Sequence, residues 1–204
     1  ASPWPGREPL ICALNGVLGD HLEATGNPLA IPMQLRRQGV ALRLVRSDLA
    51  TALSVPDSRV TVGRTPASGG ADVRLPDRRV IVMVHGLCMS DSSWTRNAHD
   101  HGSRLAQDLA AEVVYLRYNT GRHISTNGAE FAALLEQLVD AWPVPMAELI
   151  LVGHSLGGLV MRSACAAGEA AGHRWRRRLK AMVFLGTPHH GAPLERGGHG
   201  VDRL

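Results

Sequence analysis

Aromatic side chains are scarce in this chain: Trp, Tyr and Phe make up 4% of its 204 residues. Hydrophobic content is nevertheless ordinary at 45%, which supports one domain with a real core. Cysteine is scarcer still. Cys12, Cys88 and Cys165 are the three present, widely spaced, and they suggest neither a disulfide framework nor a metal site. No apolar run reaches the roughly 20 residues that span a bilayer. The opening Ala1-Ser2-Pro3-Trp4-Pro5-Gly6 has neither the basic start nor the apolar core of a signal peptide. There is no internal repeat and no glycine-rich phosphate cradle. Taken together, these absences favour a cytoplasmic location, unless a leader precedes Ala1.

The net charge is +4, and much of the excess sits in Arg174-Trp175-Arg176-Arg177-Arg178, extended by Lys180. Such a run around a tryptophan suits an anionic membrane surface or a nucleic acid. The plainer reading, preferred here, is a solvated loop between a helix and the next strand.

The most informative stretch is Leu149–Gly158, Leu-Ile-Leu-Val-Gly-His-Ser-Leu-Gly-Gly. A short apolar run ends in Gly-x-Ser-x-Gly and flows into a helical pattern, as in a nucleophile elbow, where a sharp strand-to-helix turn exposes a serine hydroxyl. Gly153 and Gly157 flank Ser155 where side chains would collide. A helix starting at about Leu156 aims free N–H groups at the serine, and such donors suit an oxyanion. Upstream, Arg79–His85 reads as a second buried strand and runs into Gly86-Leu87. The N–H of Leu87 then becomes one oxyanion donor and that of Leu156 the other. Gly86 lets the backbone turn, and His85 supports the loop.

Val84-His85-Gly86-Leu87, Gly153-His154-Ser155-Leu156-Gly157-Gly158 and Gly186-Thr187-Pro188-His189-His190-Gly191 occur in that order. Together they resemble the α/β-hydrolase superfamily in its lipase/esterase branch, and the last is similar to the signature of bacterial triacylglycerol lipases and PGAP1-like acyl-ester hydrolases. The resemblance covers about 79–193. It implies a Ser–His–Asp triad with Ser155 as nucleophile, no metal and no organic cofactor. It also implies that Thr187, His189 and His190 shape the pocket rim. The expected partner is a small-molecule or lipid ester, with transient contact to a lipid surface and none with nucleic acid.

In that family the acid and then the histidine follow the serine along the chain. Leu179–Gly186 reads as the strand after the elbow helix, and no further strand–helix unit fits before Leu204. The base and its acidic partner are therefore expected beyond Leu204, with the C-terminal part of the fold missing. Local substitutes are weaker. His154 points away from its neighbour Ser155 on an extended strand and reads as a packing residue. His85, His189, His190, His199 and Asp202 are weaker candidates for triad roles than residues beyond Leu204. Two rivals stay open: a non-catalytic hydrolase-like binding module, and an acyltransferase using the same elbow.

The fold class expected is α/β, a mostly parallel sheet with helices on both faces. Residues 1–78 form an N-terminal segment and 79–204 an incomplete hydrolase core, with the Gly- and Pro-rich stretch 65–76 as boundary. Residues 9–23 read as an amphipathic helix whose stripe, Leu10, Ile11, Leu14, Val17, Leu18 and Leu22, faces a core or domain contact. Gly16 and Gly19 weaken it but permit close approach to a partner. Val40–Val45 alternates like an early strand, and Val60-Thr61-Val62 is a weaker one. Helices are expected around Asn97–Ala111 and Asn127–Trp142, with a strand at Val113–Tyr118 between them. Cys88 reads as a small buried filler.

Overall fold

A computed structural model describes residues 6–53 and 78–190. The expected boundary loop, the Val60–Val62 strand, Gly191, His199 and Asp202 lie outside the described residues.

Six strands form one sheet: β1 (Gln34–Arg37), β2 (Val40–Ala41), β3 (Arg78–Val84), β6 (Ala111–Arg117), β7 (Met146–His154) and β8 (Leu179–Leu185), in the spatial order β2-β1-β6-β3-β7-β8. The four long strands are mutually parallel, and β1 joins β6 antiparallel. A small hairpin, β4 (Thr95–Arg96) with β5 (His99–Asp100), stands apart. The fold is thus the expected α/β class, with a mostly parallel sheet.

Strand alternation sorts the side chains between two layers. Val80, Val82 and Val84 face one side with Val114, Leu116, Leu149 and Leu151. There they meet α2 (Arg46–Ala52), α4 (Ile124–Ala141) and α5 (Leu156–Ala170), through Leu49, Phe131, Leu135, Leu138 and Met161. Ile81, Met83, Val113, Tyr115 and Val152 face the other side, where α3 (His101–Asp108) contributes Ala106 and the turn 91–94 contributes Trp94. On the outermost strand β8, Met182 and Phe184 pack inward while Ala181, Val183 and Leu185 are exposed.

The N-terminal segment departs from the sequence reading. α1 (Arg7–Ala24) is a helix as expected, but it buries Cys12, Asn15, Gly19 and Leu22 and exposes Leu10, Val17 and Leu18. The small-residue stripe wins the inner face because two glycines allow backbone contact that leucines would prevent. A Cβ on Gly19 would stand 2.8 Å from Gly121 Cα, just after β6. α1 therefore lies across the carboxyl ends of the strands. The expected strand over Val40–Val45 is reduced to two residues, and its partner is Gln34–Arg37, which has little apolar pattern. The expected helix at Asn97 begins only at His101. Asn97 and Ala98 take positive φ (51° and 61°) and close the hairpin before it.

The basic run is a short 3-10 turn, Arg174–Arg177, with Trp175 fully buried. Arg174 pairs with Glu136 and Asp140, and Arg176 with Glu169. No described helix is long and apolar enough to cross a membrane.

Candidate active site

β7 ends at His154 and α5 starts at Leu156, so one residue makes the entire turn. Ser155 has φ 50° and ψ −119°. A non-glycine residue in that region is strained by about 1–3 kcal/mol and persists only where its surroundings enforce it. The enforcement is visible. The Ser155 N–H donates to Leu185 O at the end of β8 (2.8 Å), and the Gly158 N–H donates back to Ser155 O (3.1 Å).

Glycine is required on both sides of the turn. A Cβ at Gly157 would lie 2.4 Å from Val84 O and 2.6 Å from His85 O. One at Gly153 would lie 2.8 Å from Gly158 N. These contacts press the first turn of α5 against the end of β3. Gly158 sits as closely on Thr187, whose buried hydroxyl has no hydrogen-bond partner.

The segment after β3 passes directly over the turn. A Cβ on Gly86 would stand 3.2 Å from Ser155 Cβ and 2.9 Å from His154 Nδ1. Gly86, Ser155 and the start of α5 are therefore neighbours in space, although 69 or more positions separate Gly86 from them in sequence. Leu87, the next residue, is 51% exposed, and Leu156 is half-buried.

His85 is buried, its ring stacked on Tyr118 at 4.6 Å, and the Tyr118 hydroxyl donates to His85 O (2.9 Å). Burial pushes the His85 imidazole down to about 4, against an opposing pull from its hydrogen bond with the Gly86 carbonyl. The ring is thus neutral near pH 7. With Nδ1 3.0 Å from Gly86 O, the proton is assigned to that nitrogen, and the ring braces the loop. His154 lies edge-on to Trp94, with ring centroids 6.5 Å apart. His189 lies 3.1 Å from Arg162 Nη1 and edge-on to Phe184; His189 and His190 are exposed, and Thr187 is half-buried.

Cys88 differs from its expectation as filler: it is exposed, at φ 56°. Gly16 of α1 lies against the Cys88 backbone and sulfur. The Cys88 N–H donates to Thr120 Oγ1 (3.2 Å). Asn119 Nδ2 donates to Gly19 O, and Asn127 Nδ2 to Asn119 O, both at 2.9 Å. Three further residues escaped the sequence reading: Asp91, buried at 8% exposure, and the two arginines beside it, Arg36 and Arg117. Burial opposes ionisation of nearby Glu8, yet Arg117 beside it holds that carboxyl below the usual carboxylate range. A separate cleft, lined by Arg46, Trp142 and Arg178, opens near the start of β7, at the opposite end of the strand from Ser155.

A model of the PGAP1-like alpha/beta domain matches residues 76–202. The chain belongs to that family. The chain is 26% identical over 162 residues to a triacylglycerol lipase of Burkholderia plantarii, a match covering 76% of this chain and 42% of the lipase. Among solved structures it resembles the mature form of Bacillus licheniformis lipase BlEst2, at 26% identity and a TM-score of 0.50, covering 64% of this chain and 49% of that one. The chain thus spans less than half the length of each of these relatives. The domain is related to the lipase/esterase α/β hydrolases, as its three motifs implied.

Proposed function

We propose that this PGAP1-like domain carries the nucleophile and oxyanion hole of a serine ester hydrolase. The observation that bears most weight is the strained Ser155 turn lying within van der Waals reach of Gly86. Ser155 Oγ attacks the acyl carbonyl, and its proton passes to a histidine supplied by chain that follows β8. The N–H groups of Leu87 and Leu156 hold the tetrahedral oxyanion, each contributing about 3 kcal/mol to the transition state. Collapse expels the alcohol and leaves an acyl-enzyme on Ser155. Water then attacks with the same base and releases the acid. His85 and Gly86 shape the oxyanion turn; Gly153, His154 and Gly157 shape the elbow; Thr187, His189 and His190 lie on the rim. The lipase relatives support a carboxylic or lipid ester as substrate.

The test is fluorophosphonate labelling of the protein at its full natural length, read by peptide mass, beside ester hydrolysis. Ser155 takes the label, and Ser155→Ala loses both the label and at least about 10³-fold in kcat. An unlabelled, folded protein sinks the hydrolase reading and favours a binding module. Ester exchange onto an added alcohol in place of hydrolysis identifies a transferase.

A further inference from the structure

The loop that carries Leu87 has no regular structure of its own. Between the end of β3 at Val84 and the 3-10 turn Asp91–Trp94, a single backbone turn closes, with the Met89 N–H donating to Gly86 O (3.3 Å). A hydrogen-bond donor that must meet a developing oxyanion within a few tenths of an ångström cannot rest on that alone. Its first residue is pinned by the buried His85 ring and its middle by Thr120. The far end is pinned by charge.

Asp91 is buried, and its Oδ1 accepts from Arg36 Nη1 (3.0 Å) while standing 3.5 Å from Arg117 Nη1. Arg117 in turn reaches Glu8 Oε1 of α1 at 2.6 Å. Two carboxylates and two guanidiniums therefore alternate, drawn from α1, β1, β6 and the loop. Arg36 and Arg117 leave the sheet from rigid neighbouring strands that pair residue to residue. A carboxylate held between two such anchors has little freedom, and losing one member leaves the others charged and partly desolvated. Ser90, the residue before Asp91, is 2% exposed and shares hydrogen bonds with Ser92 and Ser93. Displacement at Asp91 thus has no slack to absorb it before reaching Cys88 and Leu87.

We infer that Asp91, clamped by Arg36 and Arg117 with Glu8 behind them, is a positioning residue that fixes the oxyanion-hole loop. The inference rests on the hydrolase reading above. It predicts that Asp91 acts on the transition state and leaves ground-state binding of the ester alone.

The test compares the full-length protein with its Asp91→Asn variant on an oxygen ester and on the matching thionoester. Sulfur accepts hydrogen bonds weakly, so a thionoester depends less on the oxyanion donors. Asp91→Asn lowers kcat for the ester about 10- to 100-fold with KM within about twofold, and lowers the thionoester rate several-fold less. A merely structural role reduces the fraction of active molecules and lowers both substrates equally; that result, or an unchanged kcat, overturns the inference. If Asp91→Asn does not fold, Glu8→Gln at the half-buried outer end of the network serves instead. It lowers ester kcat about two- to fivefold with the same skew between substrates, and the absence of that skew is equally decisive. A wild-type protein without esterase activity or fluorophosphonate labelling removes the hydrolase reading and this inference with it. An active wild type that Asp91→Asn matches removes this inference only.

Discussion

The two strand-end loops that meet at Ser155 are held in opposite ways. The elbow is held by shape: Gly153, Gly157 and Gly158 let α5 and two strand ends close to a spacing that no Cβ would tolerate. The 85–91 loop is held by polar partners, through His85 against Tyr118, Cys88 N–H on Thr120, and Asp91 between two arginines. Steric confinement is indifferent to pH and salt, whereas a network of charges and one neutral imidazole is not. The Ser155 turn is therefore built to be invariant, and sensitivity to conditions is concentrated in the loop above it.

The largest effect should come from breaking the shape-held side. Gly157→Ala places a methyl group 2.4 Å from Val84 O and 2.6 Å from His85 O, both backbone atoms at the end of a central strand. Neither can move without parting β3 from α5. A loss of about 4 kcal/mol, or failure to fold, is expected, larger than the ordinary penalty of overpacking because no side chain can give way. Urea unfolding measures it, and a Gly157→Ala protein within about 1 kcal/mol of wild type contradicts the steric account.

Acid should instead find the polar side. His85 in the folded protein titrates at about 4, below the ordinary 6.5. The unfolded chain therefore binds a proton that the folded one excludes. The associated stability is complete above about pH 6.5 and drains away as pH falls towards 4, by about 3 kcal/mol in all. Urea midpoints taken at pH 7.5 and 4.5 should diverge by about 2–3 kcal/mol more in wild type than in His85→Phe, which keeps a ring against Tyr118 but cannot charge. Parallel pH dependence in the two proteins contradicts the assignment.

The same contrast explains what could be read from the sequence. The elbow is legible because its requirements are local: an apolar strand, then glycines at fixed offsets around a serine. The strands Arg78–Val84 and Met146–His154 are legible because burial on both faces leaves unbroken apolar runs. The loop's supports are not local. Arg36 lies 55 positions from Asp91 and Arg117 lies 26, and nothing in either neighbourhood marks a buried pair. Gln34–Arg37 escaped notice because it buries only Leu35, so it carries no alternation. On α1, apolar periodicity points to Leu10, Val17 and Leu18 as inward residues, but close packing against two loops selects Gly19, Asn15 and Cys12 beside Leu22.

That inversion yields the smallest and most discriminating test, because propensity and packing predict opposite signs. On an exposed helix Gly16→Ala should stabilise by about 1 kcal/mol. Here its Cβ would stand 2.2 Å from Cys88 Sγ and 3.3 Å from the Cys88 Cα and N. The sulfur is the end of a short side chain and can be removed; the backbone behind it is tied to Thr120. Gly16→Ala should therefore destabilise by about 1 kcal/mol in the wild-type background. In Cys88→Gly, which also suits the positive φ at that position, most of this penalty should vanish. The coupling between the two sites, about 1 kcal/mol in a double-mutant cycle of urea midpoints, measures how firmly α1 rests on the 85–91 loop. Additive single and double variants would mean that the helix does not press there, and the polar network at Asp91 would then be holding the loop without its help.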